Sequence, residues 1–484
     1  MELFNKSLLQ HNAFINNSFV PSADGVSFEV INPANNQVIT EVADCGISET
    51  ECAIEAAEKA FEAWSKTTAK ARHGLLKKWF ELITANADDL AMIMTTEQGK
   101  PLSEAKGEVI YGASFIEWFA EEARRVYGDV IPTPVGTKRI LTIKQPIGVV
   151  AAITPWNFPV SMITRKISPA LAAGCTVIIK PPHETPLCAL ALAKLALEAG
   201  FPKGVINVVT TTQSKEVGRI MTTDPRVKKV SFTGSTEIGK LLMAQSASTI
   251  KKVSLELGGN APSIVFDDAN LEQAVKGTLA SKYRNAGQTC VCTNRILVQE
   301  TIYDQFMYAY SKATALLKVG DGTKEGVQIG PLINAKAIEK VERLLNDAVN
   351  KGGKITLGGK RNESGTLFFE PTIIEHCNTQ MDIHEEEIFG PISAIYKFKT
   401  EEEAIAIANN TQYGLASYFY SQNINRIWRV AEALEYGMIG INEGIISHAE
   451  APFGGVKESG IGREGSRYGI DEYVEIKYLC MGLV

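Results

Sequence analysis

From Gly148 onward, short apolar runs rich in β-branched residues alternate with amphipathic segments, and this alternation constrains the fold more than any other feature. The runs are GVVAAIT, TVIIK, GVINVV, VKKVSF and KVSLEL, with amphipathic stretches such as 186–200 and 237–247 between them. Parallel strands buried on both faces read as continuous apolar runs, and each needs a crossover helix to bring the chain back. The pattern therefore predicts successive βαβ units and a parallel sheet covered by helices. A second series follows Gly258–Gly259, with predicted strands in RILVQ, KITLGG, FFEPTII, SAIYKF, LASYFYS and GMIGIN. The economical reading is two α/β domains joined near residues 257–261.

Length supports the division. Single cores stop growing at about 250–300 residues, and this chain has 484. Apolar positions at helical spacing predict helices over 51–90. The segment 136–148 (GTKRILTIKQPIG) reads as an alternating strand pair that interrupts the first domain, and the C-terminal YVEIKYLCMGLV is strand-like. Exposed strand edges of this kind are commonly covered by another subunit, so a homodimer or homotetramer is expected.

Composition excludes several classes of function. With 45% hydrophobic and 21% charged residues the chain is ordinarily globular, and a net charge of -6 without a basic block argues against nucleic-acid binding. No apolar stretch reaches the roughly 18–20 residues that cross a bilayer. The opening MELFNKSLLQHN lacks the apolar core of a signal peptide and the Arg-rich character of a transit peptide. A soluble, cytoplasmic protein without a membrane partner is expected. The eight cysteines form no CxxC pair and have no histidine at zinc spacing, which fits reduced thiols and no metal site.

Five motifs follow predicted strands or end a predicted helix. In Phe232-Thr233-Gly234-Ser235-Thr236-Glu237-Ile238-Gly239, small residues between strand and helix allow backbone N–H groups to approach a phosphate. Thr236 replaces the middle glycine of GxGxxG, so a plain βα turn competes with that reading. Lys180 opens KPPHETP at a strand's C-terminal end, where a lysine can meet ribose hydroxyls or phosphate, or simply be solvated. In Pro155-Trp156-Asn157-Phe158-Pro159 the Asn157 amide is a candidate oxyanion donor, although asparagine is also a common turn residue. Glu256, in LELGGN, is either a ribose-binding acid about twenty residues beyond Gly234 or a general base. Cys290, in NAGQTCVC, is either a small packing residue or a nucleophile supported as thiolate.

Together the motifs resemble the aldehyde dehydrogenase superfamily. The resemblance rests on PWNFP (155–159), FTGSTEIG (232–239), LELGGNAP (255–262), GQTCVC (287–292) and EEIFGP (386–391), in family order over nearly the whole chain. Within that superfamily the chain looks most like the succinate-semialdehyde dehydrogenases, through MITRK (162–166), YRNAGQTCVC (283–292) and NEGIISHAEAPFGG (442–455). The resemblance implies a Rossmann-like dinucleotide-binding domain (1–135 and 148–257), a second α/β catalytic domain (258–460), and a β-hairpin oligomerisation element (136–147 and 461–484).

It further implies Cys290 as nucleophile, Glu256 as general base and Asn157 as oxyanion donor. Cofactor contacts are implied for Trp156, Lys180, His183, Gly234, Ser235, Glu387 and Phe389, with Lys180 and His183 at the adenosine ribose. Arg165, Arg284 and Ser447 match the carboxylate-binding set. Many NAD-using relatives carry Glu where this chain has His183; a carboxylate there repels a 2′-phosphate, so NADP is expected, with NAD possible. Thr211 replaces the usual Gly after the NVVT strand. The expected reaction is hydrolytic oxidation of succinate semialdehyde through a thiohemiacetal and a thioester. Glutarate semialdehyde is the alternative substrate, and a non-catalytic protein of the same fold is the alternative of another class. Cys292, one residue beyond Val291, is a candidate redox partner for Cys290.

Overall fold

The computed structural model describes residues 1–483. The first five apolar runs become the strands Val149–Ile153, Thr176–Lys180, Ile206–Val208, Val227–Thr233 and Lys252–Glu256. All five pair in parallel, and across the sheet they lie in the order third, second, first, fourth, fifth. This is the doubly wound arrangement, in which the strand order reverses between Val149–Ile153 and Val227–Thr233 and opens a crevice beyond their carboxyl ends. Helices Ser161–Ala173, Leu187–Ala199, Ser214–Thr223 and Thr236–Ser246 make the crossovers.

Three short strands extend the sheet antiparallel at its edges. Ala13–Ile15 and Ser18–Val20 add beyond Ile206–Val208, and Gly460–Ile461 returns from far along the chain to pair with Lys252–Glu256. The helices expected over 51–90 are Ile47–Trp64, Ala69–Ala85 and the start of Ala87–Gln98. They and the helix Leu102–Glu122 enclose a core built on Trp79, Leu90, Phe115 and Ile167.

The second sheet has seven strands. Six run parallel (Thr372–Glu375, Ile392–Phe398, Thr293–Gln299, Ala261–Val265, Ala416–Tyr420 and Met438–Ile441), and Lys354–Leu357 pairs antiparallel at one edge. Its core gathers Ile264, Leu297, Phe306, Ile395 and Phe419. A four-residue link, 257–260, joins the last parallel strand of the first sheet to the first strand of the second. The carboxyl ends of the first sheet therefore face the amino ends of the second across a narrow gap.

Residues 136–148 differ from the expected strand pair. They form one nine-residue strand, Lys138–Pro146, paired antiparallel with Val474–Gly482 and with the short Val130–Ile131. The alternation that reads as two strands comes from one strand exposed along much of its length.

Candidate active site

Both of the crevice-forming strands end in the motifs singled out above. Val149–Ile153 runs into Pro155, Trp156 and Asn157, while Val227–Thr233 runs into Gly234 and Ser235. These residues line one cleft of about 290 Å³ with Leu257, Gly258, Cys290, Lys340, Glu387 and Phe389. Ser235 caps the helix Thr236–Ser246, its hydroxyl accepting from the Ile238 N–H, so the remaining first-turn N–H groups point at the cleft. Trp156 and Phe389 meet edge to face at 5.6 Å across it.

Cys290 reaches the cleft through an unusual backbone. Asn285 and Ala286 both hold left-handed conformations, with φ of 52° and 55°, and turn the chain out of the helix Leu271–Tyr283. The loop then passes so close to the interdomain link that a Cβ on Gly259 would stand 2.4 Å from the Cys290 carbonyl oxygen. Only glycine fits there, which accounts for the second Gly of LELGG. Cys290 is half-buried and touches an apolar cluster that includes Val291, Phe453 and Ile446.

Asn157 is tied to the same loop. Its Nδ2 donates to the Gln288 carbonyl at 3.1 Å, leaving a second hydrogen unspent. Its own backbone carbonyl accepts from Asn285 Nδ2 at 3.0 Å and from Lys100 Nζ at 2.8 Å. Lys100 is buried, pairs with the buried Glu108 and lies over the Phe158 ring. Glu108 accepts in turn from the Val160 and Ser161 N–H groups, so one ion pair fixes both sides of the turn.

Glu256 ends the last strand of the first sheet, fully buried, with Oε2 lacking a hydrogen-bond partner. Burial, then repulsion from Glu464, holds its carboxyl well above the usual range, against the pull of Arg165, Lys166 and Arg463. Burial pushes the Cys290 thiol up to about 12; Arg165 and Arg284 pull it down, whereas Glu387 and Glu256 push it further up. Cys290 therefore rests as a thiol in the field of two carboxyl groups and two guanidinium groups. Glu387 is itself raised to about 7 by burial, and its Oε1 accepts from the Gly259 N–H at 3.1 Å.

Arg165 lies on the helix Ser161–Ala173, buried, paired with Glu464 and stacked 4.2 Å above the Phe453 ring; its Nη2 has no partner. Arg284 lies 5.3 Å from the Phe158 ring centroid. Ser447 is half-buried on the loop that carries Ile446 into the Cys290 cluster. Arg165 and Arg284 thus act on Cys290, and the Ser447 loop packs on its cluster, while none of the three lines the cleft. Lys180 is buried at the end of the strand next to Val149–Ile153, and burial lowers it to about 8. His183, by contrast, lines a separate groove with Glu97, Glu184 and Arg361. Cys292 is buried, with Lys282 Nζ 3.3 Å from its sulfur, and so faces into the protein while Cys290 faces the cleft.

Sequence reading does not single out Lys100, Glu108, Lys166, Lys282 or Glu464. Adjacent cations, Arg165 and Lys166, in a run 161–173 that carries no other charge are a signal that could have pointed to a buried carboxylate partner, and Glu464 is that partner. Among the described residues no cluster of metal-ligating side chains occurs and no helix is long and apolar enough to cross a membrane.

A cleft at a sheet switch point is where open α/β sheets bind dinucleotides, and a cysteine lines this one. Residues 19–479 match the family model described as the aldehyde dehydrogenase family. The chain belongs to the aldehyde dehydrogenase family. This family member is 56% identical to the succinate-semialdehyde dehydrogenase [NADP(+)] GabD of Escherichia coli K12, the match covering 100% of both chains. It is equally 56% identical to a glutarate-semialdehyde dehydrogenase of Pseudomonas aeruginosa, again over 100% of both. Among solved structures, a succinate-semialdehyde dehydrogenase from Burkholderia pseudomallei superposes with a TM-score of 0.99 at 56% identity, covering 100% of each chain.

Proposed function

We propose that this aldehyde dehydrogenase oxidises succinate semialdehyde to succinate with NADP as the favoured cofactor and NAD as a possible one. The observation that carries the reading is that two guanidinium groups, Arg165 and Arg284, act on Cys290 without lining the dinucleotide cleft: Arg165 lies over Phe453 and Arg284 over Phe158. An aldehyde with a carboxylate at its far end fits that arrangement: its carbonyl meets sulfur while its charge meets arginine. The E. coli and B. pseudomallei relatives carry the same substrate in their names.

The residues present suit a dinucleotide. Thr233 Oγ1 and Asn157 Oδ1 are buried polar atoms without partners in the cleft region. Trp156, Gly234, Ser235, Glu387 and Phe389 would hold the nicotinamide half and the pyrophosphate, with Lys180 toward the adenosine ribose; when bound, the cofactor supplies the hydride acceptor. The NADP preference rests on His183 standing in place of an acid, with Glu184 3.4 Å from it in a groove separate from the nicotinamide cleft.

Each protein group then has one task. Cys290 loses its proton and adds to the aldehyde carbon, forming a thiohemiacetal. The second Asn157 N–H and the Cys290 backbone N–H hold the oxyanion. After oxidation to the thioester, Glu256 takes a proton from water, whose oxygen attacks the acyl carbon and releases the acid. A carboxylate raised by burial is a stronger base than an ordinary one, so its environment suits that step. A cytoplasmic setting belongs to the same reading, supported by eight cysteines that are all free.

The test is steady-state oxidation of succinate semialdehyde, its one-carbon-longer homologue and butanal, with either cofactor. Arg165→Ala and Arg284→Ala should each lower kcat/KM for the acid aldehydes about tenfold or more relative to butanal, the loss of one charge-assisted bond. Equal losses on charged and uncharged aldehydes would sink the reading. His183→Glu should shift preference from NADP toward NAD; higher efficiency with NAD in the unmodified protein would remove the NADP assignment.

A further inference from the structure

The helix Leu102–Glu122 forms one wall beside the two arginines. It packs closely on the start of Ser161–Ala173: a Cβ on Gly112 would stand 2.8 Å from Val160 Cγ1 and 3.2 Å from Ser161 Cα. Tyr111, one residue earlier, is thereby held against the segment that carries Arg165. Its ring is fixed edge-on to Phe115 at 5.0 Å, so its hydroxyl has a set direction. That hydroxyl is shut off from solvent and finds no acceptor for its hydrogen. Burial keeps the phenol protonated, with Glu464 adding to the rise, against Arg165, which acts on the phenol oxygen through its charge and a hydrogen bond, and Arg284.

A buried hydroxyl left unpaired is costly, and such groups in folded proteins are nearly always satisfied by a partner or mark a functional position. Here the orphan does not stand alone. Arg165 Nη2 is a second buried donor without a partner, and Arg284 contributes a third group on the same side. The one carboxylate paired with this group, Glu464, is taken up by Arg165 and Lys166, so the Tyr111 hydrogen, Arg165 Nη2 and Arg284 leave a place for an anion with several acceptor lone pairs. A carboxylate has two oxygens and about four such sites.

We propose that the Tyr111 hydroxyl donates to the substrate's distal carboxylate, as a neutral third contact beside Arg165 and Arg284. This deepens the semialdehyde-acid reading and rests on it. A neutral donor adds a directed bond without adding charge next to Cys290, and it makes the site favour an anion at one distance from the sulfur. No apolar aldehyde can repay the hydroxyl's desolvation.

The test compares Tyr111→Phe with the unmodified enzyme and with Arg284→Ala on succinate semialdehyde and on butanal. Tyr111→Phe should lower kcat/KM for succinate semialdehyde about tenfold, mainly through KM, and weaken inhibition by succinate by a similar factor. Butanal oxidation and the rate of Cys290 alkylation should stay within about twofold. If Arg284→Ala discriminates between the substrates and Tyr111→Phe does not, the tyrosine assignment is overturned while the carboxylate reading stands. If neither variant discriminates, the carboxylate reading falls and takes the tyrosine with it. Tyr111→Met, which keeps an apolar side chain in place, provides the same comparison should the Phe variant fail to fold.

Discussion

Cys290 at about 12 is a poor nucleophile at neutral pH, and its environment says why: burial dominates and two carboxylates add to it. Below its pKa the thiolate fraction rises about tenfold per pH unit, so iodoacetamide labelling of Cys290 in the cofactor-free protein should climb on that slope from pH 6 to 9. Glu387→Gln removes one of the opposing charges and should speed labelling, whereas Arg165→Ala removes a stabilising cation and should slow it. A plateau near pH 7 would contradict this balance. Glu256 is disposed to the later step. Glu256→Gln should allow one hydride transfer and then stall, seen in rapid mixing as a burst of reduced-nicotinamide absorbance with little turnover. Normal steady-state turnover in that variant would remove Glu256 from the mechanism. For Glu256 the residue pattern alone left two roles open, ribose ligand or base. Its backbone carbonyl accepts from the Gly234 N–H at 3.0 Å, but its carboxyl is buried beside Glu464 with one oxygen unpartnered, and that favours the base.

At the scale of elements, the turn 154–160 and the loop 284–292 are stitched into one unit by Asn157, Asn285 and the Lys100–Glu108 pair. Lys100→Met would leave Glu108 as a buried charge without its counter-ion, a change that costs about 3–5 kcal/mol. A clear fall in melting temperature is expected, partly recovered in Lys100→Met/Glu108→Gln, since Gln still accepts from the 160–161 backbone. In the same variant kcat should fall at least about tenfold with KM little changed, because a small displacement of Asn157 loosens the oxyanion contact. Unchanged kcat would show that the turn holds without the pair. This stitching was not legible beforehand. A lysine in a link between helices and a glutamate in an amphipathic helix ordinarily face water, yet Lys100 is 1% and Glu108 5% exposed. The parallel strands were legible, because burial on both faces writes a continuous apolar run into the sequence. Ala13–Ile15 and Gly460–Ile461 were not, being too short to show a period and paired with strands far away in the chain. The nine-residue strand Lys138–Pro146 misleads for the opposite reason: partly exposed on both faces, it mixes apolar and polar residues in a way that imitates a hairpin.

At the scale of the whole molecule, two sheets meet end to end across the cleft, and a third, small sheet stands away from both. In that sheet Val474–Gly482 is an edge strand of nine residues with one side unpaired. Ile476 and Tyr478 point to one face of it and are 69% and 60% exposed. A long edge strand with large apolar side chains is a template for pairing with another chain, and proteins that stay monomeric normally blunt it with charge, proline or a bulge. Here its backbone ladder to Lys138–Pro146 is unbroken, and Glu475 and Lys477 alternate onto the other face, leaving the Ile476 face uncharged on this strand. We infer that this face is covered in a homodimer or homotetramer. Covering an isoleucine and a tyrosine contributes about 3 kcal/mol or more, over a hundredfold in dissociation constant. Ile476→Lys/Tyr478→Lys should accordingly shift the mass measured by sedimentation or light scattering at micromolar concentration to a smaller species. The cleft is built within one chain, so Cys290 labelling should stay intact in the dissociated form. An unchanged mass in the double variant would place the contact elsewhere on the molecule.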